Sequence, residues 1–114
     1  MLNREEKTKL LYVTAGSITE ADKIATRLVE EKLVACANIL GTSTAIYQWE
    51  GKLTKEKGVI LILKTTAKLV QKSVKRIIGL HSYECPAVIV LDIQDGNKEF
   101  LSWINNVTNP NYEG

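Results

Sequence analysis

Residues 81–86 read His81-Ser82-Tyr83-Glu84-Cys85-Pro86 and hold the only histidine of the chain, one of its two cysteines and one of its two prolines. Imidazole, thiolate and carboxylate all bind transition metals, and the first two are the softer ligands. His81 can ligate through neutral imidazole, or it can be a turn histidine that bonds nearby backbone. Glu84 offers an oxygen ligand or a base, and equally reads as a solvated loop carboxylate. Cys36, in an apolar run, reads as a small core residue or as a thiol available to a metal. His81, Cys36 and Glu84 form the candidate metal set. With one histidine per chain, such a site needs residues from elsewhere or His81 side chains pooled from several copies. Cys85 reads as a small buried hydrophobe at a strand start.

A second set suits a cleft. Tyr47, Trp49, Tyr83 and Trp103 have apolar bodies with polar tips, and can line a ligand cleft or pack an interface between copies. Lys64, closing an apolar run, either reaches water or pairs with an anionic group, Glu50 of another subunit being one option. No nucleophile and base stand close in sequence, and no catalytic motif is evident, so the chain reads as non-enzymatic. Phosphate-cradling signatures are missing, as is the Lys/Arg-Gly-aromatic motif of RNA-recognition modules.

These residues need elements to position them. Leu10–Ala15 is a short β-branched, apolar strand. Ser17-Ile18-Thr19-Glu20 matches a capping box, and Ala21, Ile24, Ala25, Leu28 and Val29 follow at helical spacing. Residues 33–39 and 42–49 form a strand interrupted at Gly41, where a bulge is expected. Glu50-Gly51-Lys52 turns the chain, residues 55–58 are polar, and Val59–Leu63 is a continuous apolar strand expected to be covered on both faces. Ala67–Ile78 is a second helix with Gly79 as its stop. Pro86 leads into a buried strand, Ala87–Leu91. Phe100, Leu101, Ile104 and Val107 mark a third helix. Two βαβ-like halves joined by a hairpin give an α+β, ferredoxin-like sandwich. Its hairpin is long and aromatic near the tip, so a second copy is expected to cover it.

The 114 residues, 45% hydrophobic, suit one domain over 1–114, with a charged N-terminal tail at 1–9 and a C-terminal tail at 108–114. A net charge of +2 does not point to nucleic acid or to an anionic membrane. No apolar run is long enough to span a bilayer, the N-terminus lacks a signal-peptide core, and two distant cysteines suit a reducing compartment, so the cytoplasm is expected.

Several segments resemble one family in its order and spacing across residues 10–107. Leu33-Val34-Ala35-Cys36-Ala37-Asn38-Ile39, Tyr47-Gln48-Trp49-Glu50-Gly51-Lys52, Leu63-Lys64-Thr65-Thr66, the hexapeptide from His81 and Leu101-Ser102-Trp103-Ile104 are similar to motifs of the CutA divalent-cation-tolerance proteins. The resemblance implies a ferredoxin-like protomer and a homotrimer whose strands extend from one subunit to the next. It implies a role in tolerance of copper and other divalent ions without enzymatic activity, or alternatively a P-II-like signalling module that binds a small anionic ligand between subunits. Some bacterial members carry proposed copper ligands where Val13 and Leu80 stand here, with only His81 retained. Ser82 stands where a proline is usual, which implies a less rigid turn.

Overall fold

The structure, a computed structural model, describes residues 5–114. Residues 1–4 of the expected N-terminal tail lie outside the described residues, and the rest of that tail already enters the fold. Strand β1 spans Thr8–Ala15, beginning two residues earlier than its apolar run. Helix α1 follows over Ile18–Glu30, with Ser17 as N-cap accepting a hydrogen bond from the Glu20 amide. It ends without a glycine. Lys32 takes a left-handed conformation, φ 58°, and the Leu33 amide bonds back to the Leu28 carbonyl.

Strands β2 (Cys36–Trp49) and β3 (Lys52–Thr66) form a long antiparallel hairpin. Its register shifts between Leu40 and Thr42, so Gly41 marks the expected bulge. Glu50 and Gly51 form the tip with φ 50° and 78°, the positive pair that a two-residue hairpin turn requires. The polar stretch 55–58 is not a break but part of β3, because pairing with β2 continues through it. A short 3-10 turn, Ala67–Leu69, leads into helix α2, Val70–Leu80. Gly79 therefore lies inside the helix instead of stopping it, and His81 is the C-cap.

Strand β4 covers Val88–Asp92 and helix α3 covers Lys98–Val107, the latter capped by the Asn97 side chain. The sheet order is β2-β3-β1-β4 with every pairing antiparallel, the ferredoxin-like arrangement expected from the sequence. β4 is an edge strand. The expectation that it is buried does not hold within one chain, where Ile89, Val90 and Leu91 are exposed.

The core lies between one sheet face and the helices. Leu11, Val13, Leu61 and Leu63 project from the sheet onto Ile24 and Leu28 of α1 and Ile77 of α2. Each such side chain, when fully buried, stabilises the fold by roughly 1.5–3 kcal/mol. Residues between them in β3, Ile60 and Ile62, are only half-buried. The run 59–63 is thus covered on one face in a single chain, not on both. At the end of the sheet, α3 buries Ile104, and the Asn105 amide group exchanges hydrogen bonds with the Glu6 backbone at 2.8 and 3.1 Å. Part of the expected C-terminal tail is packed too: Thr108 is buried, and the Lys32 ammonium donates to the Tyr112 carbonyl.

Candidate functional site

The loop between α2 and β4 carries the hexapeptide, and His81 anchors it. The imidazole is fully buried. Its Nδ1 accepts the Tyr83 amide N–H at 3.0 Å, and its Nε2 lies 2.7 Å from the Thr14 carbonyl oxygen in β1. Nδ1 therefore carries the lone pair, and Nε2 carries the proton it donates to Thr14. Both ring nitrogens are used. A metal can reach His81 only by displacing one of these bonds.

Glu20 supports the loop from the start of α1. Its carboxylate accepts from the Gly16 amide at 3.2 Å and from the Ser82 amide at 2.8 Å, with His81 Nδ1 3.9 Å away. Burial pushes the Glu20 carboxyl up, but hydrogen bonds from Ser82 and Gly16 outweigh it and leave the pKa below its ordinary value. Ser82 thereby offsets the absence of a proline: proline has no N–H to give Glu20.

Tyr83 packs against His81 with ring centroids 4.7 Å apart, and its hydroxyl donates to Glu56 Oε1 at 3.0 Å. The Tyr47 hydroxyl donates to the other oxygen of Glu56 at 2.7 Å. These two donors hold the Glu56 carboxyl below its ordinary pKa. Reciprocally, burial and the bond to Glu56 push the Tyr83 phenol up, and the bond to Glu56 raises Tyr47. The result is a chain of contacts from α1 through the loop to the hairpin: Glu20, Ser82, His81, Tyr83, Glu56, Tyr47.

His81, Tyr83 and Tyr47 are thus brought into one network. The other sequence candidates lie elsewhere. Cys36 is half-buried at the start of β2, and Glu84 and Cys85 are exposed on the loop. Cys85 is neither buried nor in a strand, because β4 starts three residues later. Among the described residues, no three His, Cys, Asp or Glu side chains group to hold a metal ion, so one chain does not assemble His81, Cys36 and Glu84. Lys64 donates to Asn38 on the neighbouring strand, while Glu50 sits in the hairpin tip. Trp49 is exposed beside that tip, and Trp103 stacks on Phe100 within α3.

Sequence reasoning missed Glu56 and saw Glu20 only as a helix cap. Pairing length was the available signal for Glu56. A 14-residue β2 needs a partner of similar length, which carries the strand through the polar stretch and puts Glu56 diagonally across from Tyr47.

A ferredoxin-like sandwich with a long two-stranded arm, and a histidine pinned in the loop before its last strand, defines the class of the protein. The sequence matches the family described as CutA1 divalent ion tolerance protein over residues 9–107, and the chain belongs to that family. It is 37% identical over 100 residues to the divalent-cation tolerance protein CutA of Thermus thermophilus, covering 88% of this chain and 97% of that one. Against the CutA homolog of Xenopus laevis it is 40% identical over 96 residues, 84% of this chain but 64% of the longer relative. The crystal structure of CutA1 from Oryza sativa superimposes with a TM-score of 0.90 at 32% identity, covering 93% of this chain and 97% of that one. That of CutA1 from Ehrlichia chaffeensis gives 0.87 at 38% identity, covering 90% and 96%. No helix among the described residues is long and apolar enough to cross a membrane.

Proposed function

We propose that this chain acts as a homotrimer in tolerance to divalent metal ions, copper among them, and catalyses no reaction of its own. Family membership supports the metal-ion part, since the Thermus thermophilus relative carries that role in its name.

The observation that carries the assembly is the open face of the sheet. Side chains that alternate with the core residues point away from the helices. Register places Tyr12 between Ile62 and Ile89, and Leu10 beside Leu91, on this face, with Ile60 adjacent. An antiparallel sheet with one solvated face normally shows polar residues there. A contiguous apolar sheet face marks an interaction surface, and copies of the same chain are the occupant that the family's motifs imply.

In this reading the ion has no resident site within one chain. The ring nitrogens of His81 are engaged, and Cys36 and Glu84 stand apart from it. Ion binding is then weak, or pooled between copies. The cytoplasm is the compartment that fits two unpaired, distant cysteines. Calorimetric titration of the purified, tag-free oligomer with copper and zinc tests the reading, with a repeat on His81→Ala. Saturable heats from the oligomer, retained in refolded His81→Ala, are expected. Flat titrations with both ions at millimolar concentration would overturn direct binding.

A further inference from the structure

The hairpin leaves the body of the protein at a root marked by a glycine on each strand. Gly41 lies at the bulge of β2, and Gly58 of β3 pairs with Ser43 just beyond it. A Cβ on Gly58 would stand 2.6 Å from the Ala15 carbonyl oxygen, so only glycine lets β3 pass the end of β1 this closely. Pairing of β1 with β3 ends there, at Ala15 opposite Val59.

From Ser43 opposite Gly58 to Trp49 opposite Lys52, the two strands pair only with each other. The arm is long enough to stretch the molecule to 58 × 25 × 23 Å. A two-stranded ribbon of this kind twists freely, and its own ladder does not fix its direction. Among the described residues, one side-chain hydrogen bond joins the arm beyond this root to the body: the Tyr83 hydroxyl on Glu56. The body end of that bond is rigid, because the His81 ring holds the Tyr83 amide and the Glu20 carboxylate holds the Ser82 amide. The arm end is tied down by Tyr47 on the same carboxylate.

We propose that Glu56 is a latch that fixes the direction of the β2–β3 arm against the body, and so positions the arm for a second copy of this chain. The assembly consequence rests on the homotrimer reading; the latch itself does not. Gly41 leaves the ladder irregular at the root, and Glu56 is placed just beyond it, where one bond restrains the whole arm. Tyr83 and Glu56 are positioning residues whose effect on assembly passes through arm direction.

The test is a pulsed spin-label distance between the arm tip and α1, with nitroxides at K52C and K23C in a C36S/C85S background. Labelled chains are diluted into unlabelled ones, and sedimentation is run in parallel. The parent should give one narrow distance distribution. Tyr83→Phe keeps the ring and removes only the latch bond, so it should broaden that distribution while leaving the circular dichroism of the body unchanged. Glu56→Ala should do the same, and Glu56→Gln, which keeps an acceptor and gains a donor, should restore most of the narrowing. Loss of the bond removes the arm's pre-organisation, so the concentration of half-dissociation read by sedimentation should rise in both Tyr83→Phe and Glu56→Ala. Distributions for Tyr83→Phe and Glu56→Ala that superimpose on the parent would overturn the latch. Broadened distributions for Tyr83→Phe and Glu56→Ala, beside a narrow parent that is monomeric at every concentration, would uphold the latch and overturn the homotrimer.

Discussion

Replacing His81 by alanine separates a structural pin from a metal ligand. The substitution leaves the Thr14 carbonyl without the donor that lies 2.7 Å away and the Tyr83 amide without its acceptor. A buried acceptor left unpaired costs about 1–3 kcal/mol, and the half-buried Tyr83 amide, which can find water, about 1 kcal/mol. Removing a fully buried ring adds a cavity term of about 1–2 kcal/mol. The total is about 3–6 kcal/mol. His81→Gln places an amide nitrogen near the position of Nε2 and should recover roughly half of that loss. The assay is urea unfolding at fixed chain concentration and neutral pH, because an oligomer's apparent stability moves with concentration. Copper titration accompanies each variant. A loss below about 1 kcal/mol, under even the low end of the unpaired-acceptor cost alone, would refute the reasoning. So would a variant of parental stability that no longer binds copper.

Three further outcomes are expected. Glu20 has a folded pKa below its ordinary value of 4.5, so its stabilisation is complete above 4.5 and is lost as the pH falls through the depressed value. Glu20→Gln should accordingly flatten the acid limb of a stability-versus-pH curve, and an unchanged limb would contradict the hydrogen-bond assignment. Gly58→Ala forces a Cβ into the space beside the Ala15 carbonyl and should destabilise by about 1–3 kcal/mol in thermal or urea unfolding; a neutral result would mean that β3 does not pass β1 so closely. Ile60→Asp puts a charge on the open sheet face and should weaken association by roughly 100-fold or more while the body stays folded, as sedimentation and circular dichroism would report.

The hydrophobic period made most of the fold legible. Ala21, Ile24, Leu28 and the Ser17–Glu20 cap define α1 with no tertiary information, and Val74 with Ile77 define α2. Misreadings occurred where tertiary pairing overrode local preference. Polar residues 55–58 look like a turn but are held in β3 by their partners in β2. Gly79 looks like a stop, yet α2 continues to Leu80, where the backbone turns extended at His81.

The site was half legible. His81 and Tyr83 stood out by type and spacing, but their roles depend on Thr14, Glu20 and Glu56, contributed by three other elements. No local pattern shows that a carboxylate 25 residues before His81 will meet a tyrosine two residues after it. Nor does a list of metal-binding residue types reveal that both imidazole nitrogens are already engaged. The continuous apolar run at 59–63 exceeds what one layer of helices covers, and in a single chain its second face, with Ile60 and Ile62, stays half-open.

Assembly through the open sheet face is tested most directly by sedimentation equilibrium of the untagged protein across micromolar concentrations. A single species at three times the 12.7 kDa chain mass, converted to the chain mass by Ile60→Asp, is the expected result. A parent protein that sediments at 12.7 kDa throughout that range, with Tyr12, Ile60 and Ile62 left facing water, would contradict it.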